Sequence, residues 1–427
     1  MTDSILHDHG EDGIDRRGFL KCMAWAGTGA LWAMQGGVLR SVPLGRGPLD
    51  AASLGGELFF AQISDSHIGF SKAANPDVTA TLQEAVDRLN RLGRRPAFVL
   101  HTGDISQLSK ATEFDTADQV IKGIRTDRVF YVPGEHDVLE DNGKQYLARY
   151  GRKTRGDGWY SFHHGDVHFV GLVNVLNLKA GGLGTLGAEQ LAWLKKDLAG
   201  VSSSTPVVVF AHVPLWTVYP DWGWGTDDSE QALALLKRFG SVTVLNGHIH
   251  QVMQKVEGNV AFHTAMSTAF PQPAPGTAPS PGPLTVEPER LRSLLGLATV
   301  TYHQGHHSLA VVDSALGTAP AGSAAAASGT VHRDTAAATP AVIGDAMVVR
   351  IDNFSFSPPE LHLTAGRKVM WVNGDDVPHL IASADGRFRS SPALDTDQQY
   401  TLKLDRRGTY PYFCSLHPKM TGRIVVE

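Results

Sequence analysis

The stretch Arg128-Val129-Phe130-Tyr131-Val132-Pro133-Gly134-Glu135-His136-Asp137 joins an apolar run to a cluster of polar side chains. The apolar run predicts a β-strand, and Gly134 allows the backbone to turn sharply where that strand ends. Two carboxylates and an imidazole follow at once. Open α/β sheets bind their ligands at the carboxyl ends of their strands. The stretch therefore predicts a functional site at one edge of a sheet.

The region 57–314 alternates between strand-like and helix-like patterns, which favours an α/β fold. Apolar runs predict further strands at 58–63, 97–100, 167–173, 206–210 and 242–245. Apolar residues at helical spacing predict helices at 79–92, 111–124, 189–198 and 230–239.

Most of these strands are followed by Asp or His. The residues are Asp65, His67, Asp104, His212, His248 and His250. Within Asp65-Ser66-His67 and His248-Ile249-His250, an extended backbone is predicted to point both ligand candidates the same way. Carboxylates and imidazoles together suit Zn, Mn or Fe better than Ca or Mg.

The order of these motifs resembles the calcineurin-like metallophosphoesterase family. The resemblance implies a four-layer α/β/β/α sandwich over 57–314, with a dinuclear site for two divalent or trivalent ions (Fe, Mn or Zn). It implies that one ion is held by Asp65, His67, Asp104 and His250. Asp104 would bridge to the other ion, which is completed by Glu135, His212 and His248. It also implies that His136 acts beside the substrate as general acid or charge stabiliser, oriented by Asp137.

Glu135 departs from this family, which usually has Asn at that position. The additional negative charge should make hydroxide formation harder and favour an ion such as Fe(III) or Mn(II). Two interpretations stay open: a working phosphoesterase with a shifted metal preference, or a degenerate site.

Two loops are candidates for the wall of the pocket. The aromatic segment 219–225 predicts either local packing or a lid that faces the substrate. The segment 271–283, rich in Pro, Ala and Gly, predicts an irregular surface loop near the site.

Gln107 stands three residues after Asp104, where purple acid phosphatases have tyrosine, so the pattern is nearer the branch with cyclic-nucleotide and phospholipid diesterases.

The composition changes after the first domain. Ala, Gly, Ser, Thr and Pro dominate 315–341, which predicts a flexible linker. From 342 to 427, short alternating runs predict a small β-sandwich. Its predicted strands are 347–351, 360–363, 368–372, 399–404 and 423–426.

A second group of metal-ligand candidates lies in this sandwich. Cys414, His417 and Met420 are spaced three residues apart, and His379 adds a second imidazole. Two His, one Cys and a weak axial Met suit a type 1 (blue) copper. The pattern resembles the cupredoxin family, particularly its plastocyanin-like and amicyanin-like members, which implies electron transfer with a redox partner protein. Leu380 stands where many members have a polar residue, so we expect weaker hydrogen bonding around the ligands and a shifted reduction potential.

Residues 1–50 are typical of a leader. Arg16-Arg17 precedes the weakly apolar stretch 22–34, which resembles a twin-arginine export signal. The alternatives are a buried helix with a chance Arg-Arg and an uncleaved anchor, which would be the chain's one contact with a membrane. We expect a periplasmic or other extracytoplasmic location. The net charge of −5 gives no basic footprint for nucleic acid.

These patterns together predict an exported metal-dependent phosphoesterase, and within that class a phosphodiesterase, with a tethered copper domain. Its substrate would be a phosphate ester of a small molecule or lipid. The alternative is a copper-binding electron carrier or redox sensor whose first domain is a binding scaffold of low activity. A linked hypothesis is that the copper domain sets the redox state of an iron pair in the hydrolase.

Overall fold

The computed structural model describes residues 30–35, 38–43, 57–139, 141–303, 309–318 and 342–427. The chain divides into two compact units, Met1–Glu57 and Leu58–Glu427. In the first unit, β1 (Ala30–Gln35) pairs with β2 (Val38–Pro43) as an antiparallel hairpin. The twin-arginine pair and most of the predicted linker lie outside the described residues. Among the helices described, none is both long and apolar enough to cross a bilayer.

The first part of the second unit follows the predicted alternation of strands and helices. Its elements are β3 (Glu57–Ile63), α1 (Val78–Asn90), β4 (Val99–His101), α2 (Ala111–Ile121), β5 (Val129–Tyr131), α3 (Lys144–Tyr150), β6 (Tyr160–His164), β7 (Val167–Gly171), α4 (Gly187–Ala199), β8 (Val207–Phe210), α5 (Ser229–Leu236), β9 (Val242–Asn246), β10 (Gln254–Glu257), β11 (Val260–Thr264), α6 (Pro288–Leu294), β12 (Gly296–His303) and β13 (Ala310–Ala315). Strands β6 and β10 to β13 were not predicted, because their sequences mix polar and apolar residues.

Two sheets form the inner layers. One has the strand order β13-β12-β3-β4-β5 and the other has β10-β11-β9-β8-β7-β6. Apolar residues of both sheets pack together between them, while α1 and α2 cover the outer face of the first sheet and α4 and α5 that of the second. The predicted four-layer α/β/β/α arrangement is therefore confirmed.

Aromatic side chains hold the two sheets together. Phe60 of β3 stacks on Phe98, with ring centroids 4.9 Å apart, and meets Phe169 of β7 edge-on at 5.4 Å. All three side chains are fully buried. Since burial of one Phe contributes about 1.5–3 kcal/mol, this cluster fixes the distance between the sheets and hence between the strand ends that carry the site.

The C-terminal part is a small β-sandwich, as predicted. Its strands are β14 (Val342–Ile343), β15 (Ala346–Asp352), β16 (Ser355–Ser357), β17 (Glu360–Leu363), β18 (Lys368–Asn373), β19 (Ile381–Ser383), β20 (Gln399–Lys403), β21 (Gly408–Cys414) and β22 (Thr421–Val426). One sheet has the order β14-β15-β18-β20, with β16 paired to β15, and the other has β17-β22-β21-β19. Trp371 and Tyr412 meet edge-on between the sheets, with centroids 5.3 Å apart.

The sandwich contacts the α/β part directly. The Gly181 N–H donates to the Pro418 carbonyl at 2.6 Å, and Lys419 Nζ donates to the Gly181 carbonyl at 2.7 Å. Ser280 Oγ donates to Asn353 Oδ1 at 2.6 Å. The loop that carries the predicted copper ligands is therefore part of the contact between the two folds.

Candidate metal centres

The seven predicted ligands of the dinuclear site converge at the carboxyl ends of five strands. Strands β3, β4 and β5 are parallel in one sheet, and β8 and β9 are parallel in the other. Each of these strands is followed within four residues by at least one candidate. The side chains are buried except that of His248, which is half-buried: Asp65, His67, Asp104, Glu135, His212, His248 and His250.

The predicted extended backbone at the paired motifs is wrong. Asp65, His67, His248 and His250 have φ angles of +53°, +41°, +72° and +53°. Non-glycine residues pay about 1–2 kcal/mol each for this left-handed conformation. The chain curls at both motifs, so the side chains converge through curvature and not through the alternation of a strand. Strain of this kind is typical of functional sites.

Asp65, His67 and His250 form the first cluster. The Nε2 atoms of His67 and His250 lie 3.2 Å apart, and His250 Nε2 lies 3.4 Å from Asp65 Oδ1. His67 Nδ1 bonds to Gln107 Oε1 at 2.9 Å, and His250 Nδ1 donates to the Phe270 carbonyl at 2.6 Å. Both rings thus have their other nitrogen engaged, which directs two Nε2 lone pairs at one point. This arrangement fits a shared cation.

Glu135, His212 and His248 form the second cluster. Glu135 Oε2 lies 3.0 Å from His212 Nε2, and Glu135 Oε1 lies 2.9 Å from His248 Nδ1. The Nδ1 of His212 donates to the Thr102 carbonyl at 2.7 Å, so its Nε2 faces the cluster. Asp104 Oδ2 lies 3.3 Å from His212 Nε2 and 3.5 Å from His67 Nε2, between the two clusters.

Several buried atoms of these clusters have no hydrogen-bond partner among the described residues. They are Asp65 Oδ2, Glu135 Oε2 and His212 Nε2. The close approach of the last two therefore lacks hydrogen-bond geometry. A buried polar atom without a partner costs about 1–3 kcal/mol. The donor set and these unpaired atoms fit metal ions held between the carboxylates and imidazoles.

The electrostatics of the second cluster point the same way. Burial opposes a charge on His212, but the Asp104 and Glu135 carboxylates outweigh it and hold the pKa of His212 well above its usual value. Burial likewise opposes a charge on Glu135, yet His248 and His212 hold its pKa well below the usual range. The carboxylates of the site thus favour a positive charge beside them, on the imidazoles or on a bound ion.

His136 faces the first cluster, and Asp137 faces away from it. A ring nitrogen of His136 lies within 4.8 Å of ligand atoms of His67 and Asp104. The prediction that Asp137 orients His136 is wrong, because His136 Nδ1 donates to the Gln107 carbonyl at 2.8 Å. Asp137 instead accepts the N–H groups of Ile105, Ser106 and Gly134 at 3.1, 2.9 and 3.0 Å. It ties the loop after β4 to the loop after β5.

Three of the predicted copper ligands, His379, Cys414 and His417, also converge. Cys414 Sγ lies 3.5 Å from His379 Nδ1 and 3.6 Å from His417 Nδ1, and the two Nδ1 atoms lie 3.3 Å apart. His379 Nε2 contacts Asp375 Oδ2 at 2.8 Å, which leaves Nδ1 to face the sulfur. Met420 is buried in the same apolar cluster, and its N–H donates to the His417 carbonyl at 2.9 Å. The trigonal His2Cys set fits a copper ion.

Burial opposes ionisation of the Cys414 thiol, but His417 and His379 outweigh it and hold its pKa well below the usual value. The thiolate is the form that binds metal. Residues 414–420 close on themselves, since the Cys414 N–H donates to the Met420 carbonyl at 3.0 Å. The ligand loop is thus fixed by its own backbone.

Comparisons with known proteins match one family to each of the two domains. The calcineurin-like phosphoesterase family matches residues 60–252, and the cupredoxin-like domain family matches residues 323–426. Amicyanin from Paracoccus versutus is 37% identical over 103 residues, which make up 23% of this chain and 77% of that protein. This chain is a metallophosphoesterase that carries a cupredoxin domain.

Two further relatives cover one domain each. The glycerophosphodiester phosphodiesterase GpdQ from Enterobacter lignolyticus is 28% identical over 233 residues, 51% of this chain and 79% of that protein. A purple cupredoxin from Nitrosopumilus maritimus, of known structure, is 31% identical in sequence. The alignment covers 19% of this chain and 98% of that protein, with a TM-score of 0.18.

The metallophosphoesterase domain contains supporting residues that the sequence reasoning missed. Gln107 orients His67 through its side chain and His136 through its carbonyl. Its position three residues after Asp104 is the signal in the sequence that could have suggested such a role. The Thr102 and Phe270 carbonyls are backbone groups, so no side-chain type marks them in the sequence.

The cupredoxin domain contains two comparable residues. Asp375 fixes the tautomer of His379. Asn373 is fully buried and donates to the Val377 and Leu394 carbonyls at 2.8 and 2.9 Å, which holds the loop before His379.

A narrow cavity opens onto the dinuclear candidates. Its wall includes Trp222 and Trp224 from the aromatic segment, and Pro281 and Pro283 from the proline-rich loop. Trp224 is fully buried and Trp222 is half-buried. The aromatic segment packs locally, as one interpretation held, and it also lines the cavity, while its role as a lid over the substrate stays a prediction. The proline-rich loop lies near the site, as predicted.

Proposed function

We propose that this chain is an exported phosphodiesterase that uses a dinuclear metal site and carries a type 1 copper centre. The observation that carries the hydrolase proposal is the position of Asp104 Oδ2, 3.5 Å from His67 Nε2 and 3.3 Å from His212 Nε2. A carboxylate oxygen between two groups of imidazoles is what a bridge between two ions requires. Bound ions would polarise the phosphate and lower the pKa of a bound water.

The protein's own residues hold and orient the reacting groups in this proposal. Asp65, His67 and His250 would hold one ion, and Glu135, His212 and His248 the other, with Asp104 shared. His136 donates its Nδ1–H to the Gln107 carbonyl, so its Nε2 is left for the substrate, and in the protonated ring this nitrogen would donate a proton or a hydrogen bond to the ester. The candidate ions are Fe, Mn or Zn.

The substrate class proposed is a phosphate diester with a small alcohol, because GpdQ relatives are glycerophosphodiester phosphodiesterases. The test is metal analysis per chain together with hydrolysis of a chromogenic diester and a matching monoester. We expect two non-copper ions per chain and faster hydrolysis of the diester. A protein with one or no such ion and no hydrolysis would contradict the proposal.

The copper assignment rests on the separate cluster of His379, Cys414 and His417, with Met420 as axial ligand. An intense visible absorption band in the copper(II) protein would support it. A spectrum that does not depend on the Cys414 thiolate would contradict it. The proposed role is one-electron exchange with a redox partner protein. Export by the twin-arginine route is proposed from the pair Arg16-Arg17. Cell fractionation tests it by comparing the location of the parent with that of a variant in which both arginines are replaced by lysine.

A second candidate function is a copper electron carrier or redox sensor with a hydrolase-like scaffold. The approach of Glu135 Oε1 to His248 Nδ1, at 2.9 Å, favours it, because a carboxylate oxygen that pairs with an imidazole is not free to bind a second ion. Loss of diesterase activity in all metal-loaded forms, with the copper spectrum intact, would select this function. If Cys414→Ala leaves hydrolysis unchanged under oxidising and reducing conditions, the two sites are not redox-linked.

A further inference from the structure

The cavity over the dinuclear candidates is built by both domains. His136 and His248 of the metallophosphoesterase domain face it, and Phe354, Val377 and His417 of the cupredoxin domain close its opposite side. The space left for water centres is about 30 Å³, enough for about one or two water molecules. Residues of both domains therefore line this narrow cavity, and the docked arrangement restricts access to it.

We propose that Phe354 is a lid residue of the cupredoxin domain that controls which molecules reach the metallophosphoesterase site. The role as a barrier to solutes rests on the cavity alone. The role in selecting substrates rests also on the proposed function. Neither the hydrolase motifs nor the copper motif includes this residue.

The backbone at Phe354 is the first argument. Asp352 pairs with Ser355 across the β15–β16 hairpin, so Asn353 and Phe354 form a two-residue turn. Their φ angles are +52° and +55°. Such turns favour Asn first and Gly second. A bulky side chain at positive φ is strained, so an aromatic ring stands where the turn itself favours Gly.

The second argument is the way the turn is held. The Asp375 carboxylate accepts the N–H groups of Asn353 and Phe354 at 2.5 and 2.9 Å. The Asn353 side chain accepts from Ser280 Oγ of the proline-rich loop. The strained turn is therefore anchored on both sides, to the copper domain by Asp375 and to the metallophosphoesterase domain by Ser280.

The position of the ring is the third argument. A methyl group on Gly282 would lie 3.3 Å from the Phe354 ring, so the proline-rich loop passes directly against it. On the other side, the ring centroid lies 4.7 Å from that of His417 and 5.5 Å from that of His379. Phe354 thus fills the gap between the copper ligands and the loop at the mouth of the hydrolase cavity.

A competing role for Phe354 is to shield the copper histidines from water. The variant Phe354→Gly separates the two, because it suits the turn and removes the ring. The metal-loaded full-length protein is exposed to EDTA, and the loss of copper and of the other ions is followed separately by mass spectrometry. The visible copper band, the melting temperature and the hydrolysis of a small and a bulky diester complete the readouts.

We expect Phe354→Gly to keep or raise the melting temperature and to lose the non-copper ions several-fold faster than the parent. The bulky diester should gain more in kcat/KM than the small one. Phe354→Tyr, which keeps the ring, should retain the slow loss of ions. A variant that changes the copper band but not the rate of ion loss would overturn the proposal.

A cross-link provides an independent test. Ser280→Cys with Asn353→Cys places two thiols where the side chains now touch, and their disulfide would hold the domains docked. Oxidation should slow the loss of non-copper ions, and a thiol reductant should restore it. The two single variants and the parent receive the same treatments. Equal rates in the oxidised and reduced double variant would contradict the lid. Should no form hydrolyse diesters, the proposed function fails while the ion-loss rates still decide the lid.

Discussion

Glu135 and His248 are in direct contact, with Glu135 Oε1 2.9 Å from His248 Nδ1. The other oxygen of the same carboxylate lies 3.0 Å from His212 Nε2. One side chain therefore spans both imidazoles of the second cluster, and it brings a negative charge there. The choice of Glu at this position controls the net charge of the cluster and the reach of its ligand.

The first prediction concerns that charge. We expect Glu135→Asn to shift the metal content away from trivalent iron and toward zinc, because the site loses a negative charge and one oxygen. Metal analysis per chain and diester hydrolysis measure the effect. Glu135→Gln removes the charge but keeps the length of the side chain, so it separates the effect of charge from that of reach. If only the Asn variant hydrolyses diesters, the interpretation of the parent as a working enzyme is wrong.

The second prediction concerns the close approach at Gly134. A methyl group there would lie 2.0 Å from Asp104 Oδ1 and 2.4 Å from the Asp104 nitrogen. We expect Gly134→Ala to lower the free energy of unfolding by about 1–3 kcal/mol and to displace the bridging carboxylate. Urea unfolding and metal content measure both effects. Gly200→Ala is the control, since a methyl group there meets no atom within 4 Å. Equal stability of the two variants would contradict the account.

The third prediction concerns removal of the ions. The unpaired buried atoms of Asp65, Glu135 and His212 lower the free energy of unfolding of the metal-free domain. A ligand present at 100 times its Kd stabilises the folded state by about 2.7 kcal/mol, so a chelator should lower the melting temperature. Calorimetry with and without chelator measures this. His250→Ala should reduce the difference, and an unchanged melting temperature of the parent would contradict metal binding.

The fourth prediction concerns the axial ligand of copper. We expect Met420→Leu to keep the visible band and raise the reduction potential, because the weak axial thioether tunes the potential while the thiolate gives the band. Cys414→Ser should abolish the band. Absorption spectroscopy and potentiometry are the measurements, and Met347→Leu is the control. A lost band in Met420→Leu would show that Met420 does more than tune.

The fifth prediction concerns pH. Burial would raise the pKa of Asp197, but hydrogen bonds from His168 and Ser161 outweigh it and lower that pKa. The carboxylate therefore stabilises the fold above its unfolded pKa of about 3.9, and this contribution is lost as the pH falls through the folded value. Asp197→Asn should be less stable than the parent at pH 7, by about 1 kcal/mol, and the gap should close in acid.

Urea unfolding at neutral and acidic pH measures the gap. Asp157→Asn is the control, because Asp157 is exposed. A difference between Asp197→Asn and the parent that stays constant over this pH range would show that the carboxylate charge contributes nothing.

The sequence predicted the buried strands well, because β8 is a continuous apolar run and β3 and β9 are mostly apolar. It failed on β6 and β10, whose exposed faces make them resemble loops. It also placed an extended backbone at Asp65-x-His67, where the chain is left-handed. Apolar periodicity records which face is buried, and it does not record the φ angles of a turn.

Residue types and spacing were enough to find the ligand candidates, since carboxylates, imidazoles and a thiolate at strand ends have few other uses in such order. The partners that orient them came from the tertiary structure. The Thr102 and Phe270 carbonyls, and the true partners of Asp137, become visible only when distant loops meet.

The amino-acid sequence by itself determined the two folds and the two sets of ligand candidates, because consecutive residues carry the local apolar patterns and the chemistry of the side chains. Only the tertiary structure decided that the copper domain closes the hydrolase cavity. That relationship depends on contacts such as Ser280 with Asn353 and Gly282 with Phe354, which lie more than seventy residues apart. Packing between distant surfaces leaves no local pattern, so no reading of either segment alone could reveal it.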